Sequence, residues 1–206
     1  MKTHCTTMRL AGLLVLLWAA GAKAQQLPPV LIGLSWQLSF PIGETHAYAS
    51  DVSWRGIGLD LATFVRPDVA VGLAFGWNVF FENTTSTLQY KGVDITGNQD
   101  RTLNVWPVLA NARYFPRLGE GHSDVQPYVG ANIGGYIIER YLAIGLTAFQ
   151  ETHFHFGLAP EIGVFFQNPV GAVILNARYN MAFASGGVPF QQFLSINLGY
   201  AWEHRR

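Results

Sequence analysis

"VAVGLAFGWNVFFE", Val69 to Glu82, sets a large apolar residue at every second position: Val69, Val71, Leu73, Phe75, Trp77, Val79 and Phe81. Between them lie Ala70, Gly72, Ala74, Gly76 and Asn78, with Phe80 the one bulky exception. Successive side chains of a strand point to opposite faces, so the stretch has one greasy face and one that is small or polar. In a water-soluble sheet the large residues turn inward. In a membrane barrel they turn outward to lipid and the small set lines the lumen.

The pattern recurs. "GLSWQLSF", "RGIGLDLATF", "WPVLANARY", "YVGANIGGYI", "HFHFGLAPEIGVFF", "VILNARYNMAF" and "FLSINLGYAW" alternate in the same way. With the first stretch they make eight strands, each near the ~10 residues that a tilted strand needs to cross a bilayer. Half of the residues are hydrophobic, yet beyond the first two dozen no apolar run is long enough for a spanning helix. No helical periodicity and no linker divides the rest.

The connections are asymmetric. "RPD" (66–68) and "NPVG" (168–171) carry tight-turn chemistry, while "PIGETHAYASDVS", "ENTTSTLQYKGVDITGNQD" and the stretch around "YLAIGLTAFQET" read as long polar loops. Short turns at one end and long loops at the other suit periplasmic turns and external loops. "PRLGEGHSDVQ", after the fourth strand, is longer than that scheme predicts.

The start of the chain has the layout of a secretory signal peptide. Lys2 and Arg9 are basic, Leu10 to Ala20 is apolar, and Ala22-Lys23-Ala24 supplies small residues before a cleavage site at Gln25. The expected division is a leader over 1–24 and one barrel domain over 25–206. The leader takes with it three basic residues and the only cysteine, Cys5, which leaves ten basic and thirteen acidic residues, a net charge of −3. Disulfides and cysteine zinc sites are thereby excluded. With no basic patch beyond Arg205-Arg206, nothing points to nucleic acid.

Three features turn the greasy face outward. A narrow barrel has room inside only for small side chains, which suits the glycines and alanines. Aromatic residues, among them Trp36, Trp77, Trp106, Tyr200 and Trp202, lie on the large face near strand ends, where lipid–water boundaries hold Trp and Tyr. The mid-strand charges Asp60, Arg113, Glu161 and Arg178 all fall on the small face. A hairpin turning at Asn168–Gly171 sets Glu161 opposite Arg178, each seven residues from the turn. Such a pair makes a charge-assisted hydrogen bond, and Asp60 and Arg113 extend it into a lumen network. Four paired charges of this kind read as a structural plug rather than a catalytic set.

"PVLANARYFP", "PYVGANIGG", "FGLAPEIGVFF", "LNARYNMAF" and the final alternating strand resemble the small eight-stranded outer-membrane barrels of the OmpX and OmpA transmembrane-domain type, the "outer membrane protein beta-barrel" family. The resemblance covers the whole chain after the leader. It implies an antiparallel up-and-down transmembrane barrel in the outer membrane of a Gram-negative-type cell. It also implies insertion by the barrel-assembly machinery, which reads an aromatic-ended last strand. Tyr200 and Trp202 match that signal, although "EHRR" follows them.

Enzymes are known among barrels of this size, and they need a nucleophilic Ser near a His with an orienting carboxylate. The His-x-Ser strand pattern of lipid A deacylases is absent; the chain has His153-Phe154-His155 instead, and His122-Ser123 lies in a turn. His153 and His155 share a face, with Glu151 nearby, but a metal needs a fuller ligand set. The expectation is a monomeric, non-catalytic barrel without cofactor or metal, contacting outer-membrane lipids and a surface ligand through its external loops. The alternatives are a narrow solute channel, a lipid A or phospholipid enzyme, and a soluble lipocalin-like binder with its aromatics inside.

Overall fold

The computed structural model describes residues 30–90, 93–116, 124–144, 147–168 and 170–204. The expected leader, His122-Ser123 and the final arginine pair lie outside the described residues, as does most of "PRLGEGHSDVQ". Eight strands follow one another: β1 (Val30–Ile42), β2 (Ser53–Arg66), β3 (Val69–Tyr90), β4 (Val93–Tyr114), β5 (Val125–Ile144), β6 (Thr147–Asn168), β7 (Gly171–Ala182) and β8 (Gln191–His204). Each pairs antiparallel with the next, and β8 pairs with β1 to close the barrel.

The alternation resolves as the lipid-facing choice. On β3, Leu73, Trp77 and Phe81 are more than two-fifths exposed, while Ala70, Ala74, Asn78 and Phe80 are buried inside. Ile57, Val129, Phe154, Ile162 and Leu198 continue the exposed apolar surface around the barrel. Inward glycines let neighbouring backbones approach: a Cβ at Gly72 would run into the Leu61 carbonyl and the Ala62 Cα.

Two connections are set by local chemistry. Asn168 accepts hydrogen bonds at Oδ1 from the amides of Val170 and Gly171, an Asx turn between β6 and β7. Between β7 and β8, Gly186 and Gly187 both take positive φ, so a Gly-Gly turn brings Ser185 and Val188 together.

Three long loops of the sequence reading are corrected. "ENTTSTLQYKGVDITGNQD" belongs mostly to β3 and β4, whose ladder runs to Tyr90 opposite Val93. "YLAIGLTAFQET" continues β5 and β6, whose ladder runs to Ile144 opposite Thr147. β3, β4 and β6 each have 22 residues and β5 has 20, about twice what a bilayer crossing requires. Above the membrane both faces of a strand are wet, so the apolar alternation that marks a strand disappears while the backbone pairing continues. Inside "PIGETHAYASDVS" a five-residue helix, α1 (Glu44–Tyr48), forms where the sequence reading placed no helix. Its Thr45 hydroxyl donates to Gln191 Oε1 (2.9 Å) and accepts from the Gln192 amide (2.9 Å), which fastens α1 to β8.

The lumen is layered. At the end where the short turns lie, Phe115, Tyr128 and Phe165 pack edge-on or tilted with ring centroids 5.2–5.3 Å apart, joined by Ile174 and Ala201. Towards the long hairpins a second cluster gathers Phe80, Leu103, Val105, Leu109, Tyr136, Ile138 and Phe193. The sequence reading makes the lumen small and polar throughout; the structure adds these two apolar layers to it.

Candidate functional site

Between the apolar layers lie the four charges that the sequence singles out. Asp60 comes from β2, Arg113 from β4, Glu161 from β6 and Arg178 from β7. The β6–β7 register sets Glu161 opposite Arg178, and the β5–β6 register brings Gly130 between Arg113 and Glu161. Gly130 has no side chain, so Arg113 and Glu161 reach each other across it. Arg113 donates through Nε to Glu161 Oε1 (2.6 Å) and through a terminal nitrogen to Asp60 Oδ1 (2.6 Å). Arg178 donates through Nε to Glu161 Oε2 (2.8 Å), and its terminal nitrogen stands 3.7 Å from Asp60 Oδ1. Cations and anions thus alternate around a closed ring of zero net charge.

Arg113, Glu161 and Arg178 are buried, with the Glu161 side chain 0% exposed, while the Asp60 side chain keeps 12% exposure. Asn132 donates to Glu161 Oε2 (3.2 Å) and to the Ala159 carbonyl (2.8 Å). The Arg113 guanidinium also lies 5.5 Å from the Tyr128 ring centroid, in reach of a cation–π contact. Beside the ring, Asn197 donates to Asn176 (2.5 Å), and Asn180 donates to the Ser195 hydroxyl (3.2 Å). Both Glu161 oxygens are engaged, so the arrangement cross-links β4, β5, β6 and β7.

The five aromatic residues fall into two outward bands. Trp36, Trp77 and Trp106 lie towards the hairpin end; Tyr200 and Trp202 lie near the short turns with Tyr114. Trp36 donates to the Trp54 carbonyl (2.8 Å) and stacks on its ring, with centroids 6.0 Å apart. Trp106 and Tyr114 are eight residues apart on one strand, which at barrel tilt separates the bands by about 20 Å, close to the height of an apolar bilayer belt. Leu34, Ile57, Leu59 and Phe75 join Trp36 and Trp77 around a shallow apolar concavity of about 520 Å³ on this belt.

His153 and His155 share the inward face, but the structure separates their surroundings. His155 is fully buried and its Nδ1 bonds the Phe183 carbonyl (2.8 Å). His153 lies against the Gly186 turn. Among the described residues no three His, Cys, Asp or Glu side chains gather as metal ligands.

Several residues escaped the sequence reading. Tyr128, Tyr136 and Phe193 fill the lumen and sit in phase with Gly130, Asn132 and Ser195, so their parity was the available signal. A second cavity, of about 180 Å³, lies above the barrel between α1 and the inward face of β5 and β6, lined by Tyr48, Arg140, Leu142, Phe149 and Glu151. Its residues come from stretches that read as polar loops.

Comparison with known proteins matches the architecture. Outer membrane protein OprG of Pseudomonas aeruginosa is similar over 88% of this chain and 98% of its own, with 14% identity and a TM-score of 0.54. Neisserial surface protein A is similar over 86% of this chain and 96% of its own, with 14% identity and a TM-score of 0.50. The fold is that of the small outer-membrane barrels. By sequence, no family and no curated protein matches. The closed ladder leaves no strand edge in the apolar zone, and the greasy belt faces outward; both are what a spanning barrel requires.

Proposed function

We propose that this protein is a non-catalytic, monomeric outer-membrane barrel, closed to solutes, that serves envelope integrity or surface interaction through the hairpins β3–β4 and β5–β6. The observation that carries the reading is the contrast between a lumen filled by two apolar layers and a charged ring, and four strands that run on well past the belt. A barrel built only to span would end its strands at the membrane, as β1, β2, β7 and β8 do with 12 to 14 residues. β7 stops at Ala182, opposite Gly157, so the outer stretch of β6 has no strand on its far side. An uncovered edge of this kind is a ready template for another polypeptide. The two aromatic bands hold the barrel at the lipid boundaries, and Tyr200 and Trp202 serve as the assembly signal.

The test is a binding screen against surface proteins and glycans with the intact barrel and with one whose Asn83–Asp100 segment is shortened to a two-residue turn. Binding by the intact protein and its loss on shortening support the reading; equal binding by both overturns the role of β3–β4. The channel alternative is tested by planar-bilayer conductance, where large stable steps would contradict a closed lumen.

A further inference from the structure

We propose that the cavity under α1 binds a small zwitterion with an apolar side chain, its carboxylate held by Arg140 and its ammonium by Glu151. Arg140 and Glu151 are direct cross-strand partners on the inward face of β5 and β6, a placement that ordinarily yields an ion pair. Among the described residues neither belongs to a salt bridge. The Arg140 guanidinium lies instead over the Tyr48 ring, 4.1 Å from its centroid. Two opposite charges thus face a common space of about 180 Å³, with Leu142 and Phe149 supplying its apolar wall.

The neighbouring charges point to other partners, although Arg101 also stands 6.0 Å from the Tyr48 ring centroid. Arg101 donates to Gln99 Oε1 (3.0 Å), and Glu82 accepts from the Ser50 amide (2.6 Å). Arg140, although stacked on Tyr48, and Glu151 are the opposite charges that line the cavity, so a molecule bearing one of each matches them and a singly charged one leaves a partner unanswered. The wall is fixed before any ligand arrives: Tyr48 donates to the Tyr141 carbonyl (3.0 Å), and Ala49 beside it is buried in the upper apolar cluster. The volume lies below the ~300–1,000 Å³ of drug-sized sites, which limits the ligand to roughly the size of a free amino acid.

L-Leucine is the probe, applied to the full-length protein refolded in nanodiscs and followed by equilibrium dialysis. 4-Methylpentanoate, which lacks the ammonium, and 3-methylbutylamine, which lacks the carboxylate, serve as single-charge arms. Saturable leucine binding is expected, with each analogue and each of Arg140→Gln and Glu151→Gln weaker by about tenfold or more. Arg140→Gln should leave the amine unaffected, and Glu151→Gln should leave the acid unaffected. Absence of saturable leucine binding, or binding indifferent to Glu151→Gln, overturns the proposal. Glu151 is exposed, and among the described residues no hydrogen bond or salt bridge holds it, so this variant keeps the test valid even where Arg140→Gln does not fold. The outcome is independent of the partner screen, which reads the hairpin edges rather than the cavity.

Discussion

The two charge clusters of this molecule use the same residue types to opposite ends. In the spanning part, Asp60, Arg113, Glu161 and Arg178 close on one another as ion pairs. Above it, Arg140 and Glu151 face each other in register and stay apart. The difference is one of solvent. A buried ion without its partner is heavily penalised, so the lumen ring must be complete. A wet vestibule tolerates an unpaired charge, so its side chains are free to be arranged for something else.

The strongest way to break this contrast is to remove one anion from each cluster. Glu161→Ala leaves two buried guanidinium groups to share Asp60 alone and is expected to cost about 3–5 kcal/mol, read as a lowered urea midpoint in folding titrations. Glu151→Ala should shift the same midpoint by less than about 0.5 kcal/mol. Equal midpoints for the two variants would refute the distinction. Next in size is Phe193→Ala, which empties part of the upper apolar layer and should cost about 3 kcal/mol; a neutral result would mean that this layer does not hold the lumen shut. A double-mutant cycle sharpens the comparison further: coupling between Arg113 and Glu161 should exceed about 1 kcal/mol, and coupling between Arg140 and Glu151 should lie near zero.

The smallest effect concerns Tyr48. Burial raises the affinity of its phenol for the proton, and the nearby Arg140 and Arg101 only partly offset this. Its stabilising contribution is therefore present below the ordinary tyrosine range and is lost as pH climbs through the raised value. Ultraviolet difference titration of the intact protein against Tyr48→Phe should show one phenol ionising above the ordinary tyrosine range. The variant should also lose less stability in alkali.

What was legible in the sequence follows the same division. Within the membrane, two solvents of opposite character stamp a period of two on every strand, so the eight strands, the outward tryptophans and the Glu161–Arg178 register could be read directly. Above it, Thr84, Gln99 and Gln150 sit in strands that no apolar pattern announces, and hairpins passed for loops. α1 has too few residues for a helical period to show. Phe80 was visible as a misfit on the small face, but its partner Phe193, with ring centroids 5.3 Å away, belongs to a distant strand, and only closure of the barrel brings them together.

The lumen ring has a bearing on assembly as well. Its members arrive on four strands, from near the beginning of the barrel to near its end, so the last bond is made only after the sheet has curled round. A slip of one residue in any of those strands would send an ionised side chain into hydrocarbon. Only the native register brings the four charges together, so the ring ties correct threading of the strands to a lumen whose charges cancel.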